Sequence, residues 1–391
     1  MSEKRTIVLS GMVAGVPFQG GAAWAVLQYV LGFKRLGYEV CLIEPVEAAS
    51  LRPAGSSLAE SVNAAYFRTV AAAFGLEGRA ALLLAGTEQT VGVPYRTVRE
   101  AAARAELLLN ISGMLTDAAL TDPIPVRVYL DLDPAFNQLW AEQGIDMRFE
   151  GHTHFVTVGL AIGRPECPVP TGGRQWLTTV QPVVLERWPV ADGLVHDALT
   201  TVGHWRGYGS IEHTGVFYGQ KAHALRPLIT LPRRTVERFV LALAIHPGET
   251  KDLAALAANS WQLVDPARVA DTPARYQAFI QGSKAEFGLA KHGYVAARCG
   301  WFSDRSVCYL ASGRPVIAQD TGFSRFLPTG EGLLAFDTLE EAVERIEAVR
   351  RDYPRHRRAA RALAEGYCDS DQVLTRLLKQ LGVDLNVGAT A

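Results

Sequence analysis

A glycine-rich loop near the start of the chain has residue types that can bind an anion. Residues 11–21, with Gly20 and Gly21 at their end, lie between a β-branched run at 5–10 and an amphipathic run at 22–36. Backbone N–H groups at a helix start bind anions, and glycine lets the anion approach closely. A tight turn that needs positive φ explains the same loop equally well. The spacing differs from GxGxxG, so it gives little support for a dinucleotide cofactor.

A second stretch, residues 300–322, also indicates an anion site. Ser303 and Asp304 can cap a helix that ends near Gly313. Arg305 then lies in the first helical turn, where a positive charge opposes the helix dipole unless an anion binds there too. An ion pair of Arg305 with Asp304 or another carboxylate is the alternative interpretation.

Carboxylates and histidines in the middle of the chain are candidates for acid–base chemistry. Asp131 and Asp133 come at the end of an apolar run, where one of them could act as a base toward a hydroxyl group. His152 is the third candidate catalytic residue. His152 and His154 alternate on an extended segment and therefore point to opposite faces, so at most one can serve a given site. A structural histidine is the alternative.

The elements that must position these residues follow a strand–helix–strand pattern. A strand at 5–10, a helix at 22–36 and a strand at 39–45 form a βαβ unit. In the first half, further strands are predicted at 81–85, 106–110, 126–132 and 154–159. In the second half, strands are predicted near 200–205, 238–245, 261–264, 286–290 and 315–319. The pattern predicts an α/β protein with doubly wound parallel sheets.

The chain is predicted to form two domains and a tail. A proline- and turn-rich stretch at about 180–200 separates a first domain, 1–195, from a second, 196–365. A helical tail follows at 366–391. Amphipathic helices from residue 338 onward are predicted to pack back over the domain junction.

Composition narrows the function classes. The 391 residues include 39 basic and 40 acidic side chains, for a formal charge of −1, which argues against a nucleic-acid partner. Phosphate recognition must therefore be local. The five cysteines form no CxxC pair, and the first apolar run is predicted to be a buried strand rather than a signal peptide. We expect a cytoplasmic protein with no transmembrane segment.

Two quoted motifs resemble one enzyme family. The pair Gly20-Gly21 before a helix, followed by GYEV at 37–40, resembles the amino-terminal domain of GT-B glycosyltransferases of the GT4-like, group 1 type. LASGRPVIAQDTGF at 310–323 resembles their donor domain. The resemblance implies two Rossmann-like domains facing across a cleft. It also implies transfer of a sugar from a nucleotide-diphosphate-sugar donor to a small-molecule, lipid or glycan acceptor.

The resemblance also implies roles for individual residues. Gly20 and Gly21 would face the donor phosphate, Arg305 and Ser306 would bind the diphosphate, and Asp320 and Thr321 would contact sugar hydroxyls. Lys291 and His292 are further donor-site candidates, because they follow a predicted strand and should therefore reach the cleft. The full set of donor-binding candidates is Gly20, Gly21, Arg206, Lys221, Lys291, His292, Ser303, Arg305, Ser306, Asp320 and Thr321.

Departures from the family pattern affect the mechanism. Gly300 and Cys308 occupy positions where many retaining members have glutamates, and the loop at 11–21 lacks the base found in several inverting members. These departures favour a retaining route assisted by the donor phosphate. They are also consistent with an inactive GT-B-like binding or auxiliary protein, and a nucleotide-sugar epimerase is the third alternative.

One short motif in the first half of the chain could indicate a metal site. Asp131-Leu132-Asp133 resembles the DxD metal signature of GT-A glycosyltransferases, but GT-A does not explain a second α/β domain. We predict no metal site and no cofactor beyond the donor substrate. The prediction allows a homodimer.

Overall fold

The computed structural model describes residues 5–383, so residues 1–4 of the predicted first domain and 384–391 of the predicted tail lie outside it. The first eight strands form one sheet. They are β1 Thr6–Ser10, β2 Glu39–Val46, β3 Ala80–Leu84, β4 Thr90–Gly92, β5 Ala105–Ile111, β6 Val126–Asp131, β7 His154–Thr157 and β8 Trp176–Thr178. Their order is β4-β3-β2-β1-β5-β6-β7-β8, with β4 antiparallel and the others parallel.

Helices connect these strands and cover the sheet. They are α1 Gly20–Arg35, α2 Val62–Ala73, α3 Tyr95–Arg104, α4 Ala118–Thr121 and α5 Phe136–Glu142. Helix α1 is apolar on most of its surface and buries eleven of its 16 residues, because it packs between the first sheet and the rest of the protein. The helix is followed by Gly37, whose φ of 85° is a conformation that favours glycine.

The second domain contains a six-stranded parallel sheet and a hairpin. Its strands are β9 His196–His204, β10 Ile211–His213, β11 Val216–Tyr218, β12 Phe239–Ala244, β13 Gln262–Leu263, β14 Ser283–Gly288, β15 Val316–Gln319 and β16 Leu333–Phe336. The sheet order is β13-β12-β9-β14-β15-β16, and β10 pairs with β11 alone. The helices of this domain are α6 Lys221–Leu225, α7 Thr250–Ala258, α8 Pro266–Val269, α9 Pro273–Gly282, α10 His292–Ala297, α11 Asp304–Ala311, α12 Leu339–Arg351 and α13 Tyr353–Leu363, and α14 Ser370–Gln380 follows in the tail.

The chain crosses between the domains twice, and the two crossings touch. After α13, a π-helical turn at Ala364–Cys368 leads into α14, which packs against α1 of the first domain. The amide of Val183, in the first crossing, donates to the carbonyl of Cys368 at 2.7 Å, and the amide of Ser370 donates to the carbonyl of Val183 at 3.0 Å. The terminal helices therefore return over the junction, as predicted.

The two doubly wound domains predicted from the sequence are confirmed. Strands β4, β8 and β16 and the hairpin β10–β11 were not among the predicted strands, and the hairpin occupies the stretch between Arg206 and Lys221. We propose residue 195 as the boundary between the two domains, because the first sheet ends at Thr178 and the second begins at His196. Between residues 5 and 383, no helix is long and apolar enough to cross a membrane.

The start of α1 is fastened directly to the second domain. The amide of Gly20 donates to the carbonyl of Ala270 at 2.8 Å, and the indole N–H of Trp24 donates to the carbonyl of Pro273 at 2.8 Å. A Cβ atom on Gly20 would lie 2.2 Å from the carbonyl oxygen of Thr272. Glycine is therefore required here for the close approach of two backbones.

We expect the Gly20→Ala variant to be less stable by about 1–3 kcal/mol, because the added methyl group overlaps the Thr272 backbone and forces the two segments apart. Chemical denaturation measures the loss. The matched control is Gly78→Ala, whose Cβ would meet open space and which should change stability by less than about 0.5 kcal/mol. Equal stability of the two variants would contradict the contact.

Candidate functional site

A cleft with a cavity of about 1160 Å³ lies between the carboxyl ends of the two sheets. Loops after β1 and β6 form its first-domain side, and loops after β9, β12, β13 and β14 form the other. Ligands of open α/β sheets bind at this edge. The predicted site residues that line the cavity are Gly21, Asp133, Arg206, Lys221, Lys291, Ser303 and Arg305.

The carboxylate of Asp133 joins the two domains at the floor of the cleft. Lys291 of the second domain forms an ion pair with it, with Nζ–O distances of 2.9 and 3.0 Å. The hydroxyl groups of Tyr208 and Tyr294, also of the second domain, donate short hydrogen bonds to the same carboxylate. The Lys291 ammonium also lies over the Tyr208 ring, 3.9 Å from its centroid. Asp133 is therefore a fully occupied acceptor rather than a free base.

Asp131 does not reach the cleft, which corrects its predicted catalytic role. Its side chain has no exposed surface and accepts hydrogen bonds from Asn137, Gln138 and Thr157 at 2.7–2.8 Å. It also accepts the amide of Asp133 at 2.9 Å. Burial raises the pKa of Asp131 to about 6. Its function is to hold the turn that presents Asp133.

His152 also lies away from the cleft, so its predicted catalytic role is corrected as well. Its Nε2 atom is 3.0 Å from the side-chain nitrogen of Asn110, and its Nδ1 atom is 3.1 Å from the carbonyl of Phe149. Burial lowers its pKa. The structural-histidine interpretation therefore accounts for its contacts.

Lys221 places a buried amino group in the cleft wall. It is the first residue of α6, and its Nζ donates to a neutral acceptor, the carbonyl of Leu289, at 3.0 Å. Burial, followed by the charges of Arg305 and Lys291, holds the pKa of Lys221 well below its usual range. A buried ammonium without a bonded carboxylate is stabilised when an anion enters the adjoining space.

Arg305 also faces the cleft, but it is held from behind by a carboxylate. Its Nε donates to Glu286 at 2.5 Å, and its Nη1 donates to the carbonyl of Val202 at 2.9 Å. The second Glu286 oxygen is buried and has no hydrogen-bond partner among residues 5–383. Ser303 caps the helix by accepting the Arg305 amide at 3.2 Å. The alternative of an ion pair is thus present, with Glu286 rather than Asp304.

Arg206 lies at the outer part of the cleft and is paired with carboxylates. Its Nε is 2.5 Å from Glu249, and its Nη2 is 4.0 Å from Asp252. Since 38% of the side chain is exposed, the pairs are weakened by solvent and leave the guanidinium accessible.

The remaining donor-binding candidates do not line the main cavity. Gly20 uses its amide to bind Ala270, which corrects its predicted contact with phosphate. Asp320 accepts hydrogen bonds from the loop that follows it, at Gly322 and Ser324. The other three are His292, which accepts the Gly219 amide, Thr321, which donates to the Trp301 carbonyl, and Ser306, which borders a small adjoining cavity.

The glycine-rich loop is held by a carboxylate that the sequence analysis did not single out. Glu44, at the end of β2, has no exposed surface and accepts the amides of Ala14 at 2.8 Å and Gly15 at 2.6 Å. The Asn63 side chain donates to the carbonyl of Ala14 at 2.8 Å. Burial raises the pKa of Glu44 to about 7, although its hydrogen bonds with the loop amides lower it. The loop is thus pinned by groups that are themselves buried.

Comparison with known proteins relates the whole chain to solved structures. No family model and no curated protein matches it. An α-glucosyltransferase in complex with UDP and a 13-mer DNA matches at 11% identity and a TM-score of 0.60, over 97% of this chain and 100% of that one. HepE of Anabaena with UDP and glucose matches at 11% identity and 0.57, over 97% and 99%. Sucrose-phosphate synthase from Thermosynechococcus elongatus matches at 12% and 0.55, over 97% and 99%.

The chain has the GT-B fold. Both domains contribute to the match, because it covers nearly all of each chain. The cleft described above is thus the interdomain cleft of a GT-B protein. Among residues 5–383, no group of three or more His, Cys, Asp or Glu side chains is placed to hold a metal ion.

Four residues that shape this GT-B cleft were not predicted from the sequence, and only some of them have a sequence pattern that could have identified them. Glu44 follows the apolar residues Leu42 and Ile43, and Glu286 lies between Ala285 and Phe287, a pattern that indicates a specific partner for a buried charge. Tyr208 lies in the insertion after Arg206, and Tyr294 lies three residues after Lys291. Nothing in the local sequence indicates that these tyrosines meet Asp133.

The Asp133–Lys291 pair should be strongly coupled across the GT-B cleft, because both groups are mostly buried. A double-mutant cycle with Asp133→Asn and Lys291→Met, followed by chemical denaturation, is expected to give a coupling energy above about 1 kcal/mol. The exposed pair Arg96–Glu100 is the control and should couple by less than about 0.5 kcal/mol. Additive effects at Asp133 and Lys291 would contradict the link.

The raised pKa of Glu44 predicts a pH-dependent stability. The folded state favours the protonated carboxyl, so this contribution is present below about pH 4.5 and is lost as pH rises through about 7. Relative to Glu44→Gln, the wild-type protein should lose about 3 kcal/mol of unfolding free energy over this range. Denaturation curves at several pH values measure it, and the exposed Glu77→Gln variant should follow the wild type. Parallel curves for the wild type and Glu44→Gln would contradict the shift.

Proposed function

We propose that this protein is a glycosyltransferase that takes a sugar from a nucleoside-diphosphate-sugar donor in the interdomain cleft. Similar GT-B proteins are an α-glucosyltransferase with UDP and HepE with UDP and glucose, which supports this donor class. The second domain would bind the diphosphate, and the first domain would bind a small-molecule, lipid or glycan acceptor. The near-neutral charge of the chain supports an acceptor other than nucleic acid.

The buried amino group of Lys221, which an anion in the cleft would stabilise in its charged form, carries the proposal. It faces the cleft with the carbonyl of Leu289 as its bonded partner, while Arg305 and Lys291 add positive charge nearby. A diphosphate would neutralise this region, and the same groups would stabilise the charge that develops on the leaving diphosphate. The N-terminus of α11, capped by Ser303, offers backbone N–H groups for the same anion.

The proposed route retains the configuration of the donor sugar. The acceptor oxygen bonds to the anomeric carbon as its bond to the diphosphate breaks, and the acceptor proton passes to the leaving phosphate oxygen. This route needs no protein base, which fits Asp133, because its carboxylate is occupied by Lys291 and two tyrosines. It also requires no metal, since lysine and arginine supply the positive charge.

The occupied carboxylate also supports a second candidate, a GT-B binding protein without transfer activity. Such a protein would bind a nucleoside diphosphate in the same cleft but would leave its sugar conjugate intact. A nucleotide-sugar epimerase would instead convert the donor with no acceptor present. The five free cysteines support a reducing, cytoplasmic location for any of the three.

Calorimetric titration with UDP tests the donor site. We expect the wild-type protein to bind UDP and the Lys221→Met variant to bind it at least about 30-fold more weakly, because a charge-assisted contact is lost. Lys251→Met removes an exposed lysine on α7 and should leave the affinity unchanged. An unchanged affinity in Lys221→Met would remove the observation on which the proposal depends.

Slow hydrolysis of UDP-glucose separates the candidate functions. A transferase is expected to release UDP and glucose as water replaces the acceptor, and proton NMR should show the α anomer first if configuration is retained. Binding of UDP without release of sugar would favour the binding protein. Conversion of the sugar without hydrolysis would favour the epimerase.

A further inference from the structure

Phe18, in the glycine-rich loop, is an exposed aromatic residue inside the interdomain cleft. It lines the main cavity, and 51% of the residue is exposed. Its φ of 67° lies in the left-handed region, which a bulky side chain rarely adopts. Such a conformation persists only where the surrounding structure holds it, and it is concentrated at ligand-binding sites. An aromatic ring that is kept exposed in this way indicates a ligand that contacts the ring.

Contacts with both domains fix the position of Phe18. Its ring packs against Tyr66, with the centroids 5.3 Å apart and the ring planes at 69°. The Tyr66 hydroxyl donates to the carbonyl of Asp271 in the second domain at 2.9 Å. Glu44 holds the loop before Phe18, and the amide of Gly20 bonds to the second domain after it. The ring is therefore held from both sides along the chain and by its own packing.

The order of the strands shows which part of the cleft holds the basic groups. In the second sheet, β13, β12, β9 and β14 are adjacent in that order. Lys221 donates to the carbonyl of Leu289, just after β14. Arg305 bonds to Glu286 on β14 and to the carbonyl of Val202 on β9. The proposed diphosphate site therefore lies over β9 and β14.

Phe18 lies toward the other end of the cleft, beside the segment that follows β13. Gly20, two residues later, bonds to Ala270, just after α8, and α8 directly follows β13. The cleft wall at this end is mostly apolar and includes Leu263, Val264, Pro266 and Ala267. Both ends line one cavity of about 1160 Å³, so a single elongated ligand can occupy them together.

The two ends of the cleft suit different parts of a nucleoside-diphosphate sugar. Such a donor has a nucleoside on one side of its diphosphate and a sugar on the other. A nucleobase is planar and stacks on aromatic rings, which matches the end that contains Phe18. The β14 end instead has the Asp133–Lys291 ion pair and two tyrosine hydroxyl groups, which match the hydroxyl groups of a sugar. A diphosphate over β9 and β14 therefore directs the nucleoside toward Phe18.

We propose that Phe18 is a stacking surface for the nucleobase of the donor, supplied by the first domain. The inference rests on the proposed transferase function and adds a residue that binds the nucleoside. The ring covers one face of the base, and the apolar wall after β13 lies on the other side. Every nucleobase has an aromatic face, so this contact raises affinity without selecting among the bases.

Two matched nucleotides test the stacking contact. UDP and dihydrouridine diphosphate carry the same diphosphate and the same carbonyl and N–H groups on the base. Saturation of the C5–C6 bond makes the second base non-planar and non-aromatic. Calorimetric titration of the wild-type protein should show at least about fivefold tighter binding of UDP. The uracil protons of bound UDP should also shift upfield in proton NMR, because they lie over the Phe18 ring.

Variants connect the preference to Phe18. Phe18→Leu keeps an apolar side chain without an aromatic face, so it should bind the two nucleotides within about twofold of each other and lose the upfield shift. Phe18→Trp should retain both effects. The control Tyr367→Leu removes another exposed aromatic side chain, which does not line the cleft, and should behave as the wild type does. Pyrophosphate, which has no base, should bind all four proteins with one affinity.

The outcomes separate this inference from the proposed function. Equal binding of the two nucleotides by the wild-type protein, or a preference that survives in Phe18→Leu, overturns the stacking role while UDP binding upholds the donor site. Weaker binding of pyrophosphate by Phe18→Leu also overturns it, because the substitution then acts on the diphosphate site rather than on the base. Failure of the wild-type protein to bind UDP overturns the proposed function instead.

Discussion

The carboxylate of Asp133 receives an ammonium group and two phenolic hydroxyl groups from the other domain, and this contact links the two sheets across the cleft. All three partners belong to the second domain: Tyr208 lies just before the hairpin, and Lys291 and Tyr294 lie at the start of α10. Separating the domains would leave a mostly buried lysine without its counter-ion. This ion pair and its aromatic surroundings therefore act together with the backbone contact of Gly20 with Ala270 to hold the two domains together.

The three basic side chains of the cleft differ in what they are bonded to. Arg305 is neutralised by Glu286 behind it and Lys291 by Asp133 beside it, whereas Lys221 is bonded to a carbonyl. A cleft built only from paired cations would attract an anion weakly, and one built from unpaired cations would destabilise the folded protein. The observed arrangement combines two compensated charges with one that a ligand can compensate.

The order of the elements could be predicted from the sequence because its signals are local. Runs such as TIVLS at 6–10 are buried over their whole length, so apolar continuity alone identifies them as strands. Arg305 could be placed at a helix start and in the cleft because a capping serine and a later glycine mark that helix. These inferences need only neighbouring residues.

Partners that lie far apart in the chain could not be predicted. Asp131 and Asp133 look equivalent in the sequence, but the strand ends at the first and turns before the second, so one is buried and the other faces the cleft. Lys291, the partner of Asp133, is 158 positions away in the chain. Arg305 lies on helix α11, whereas its partner Glu286 lies on strand β14. The tertiary structure determines which carboxylate pairs with which cation, and local sequence patterns do not contain this information.

The two chain crossings at the junction have a mechanical consequence. Val183 in one crossing is hydrogen-bonded to Cys368 and Ser370 in the other, so the covalent links between the domains run side by side in one narrow place. Two bodies joined along a short paired segment rotate about it far more easily than they slide past one another. A change in the angle between the domains would therefore be a rotation about this paired segment, in which the atoms farthest from the segment would travel the greatest distance.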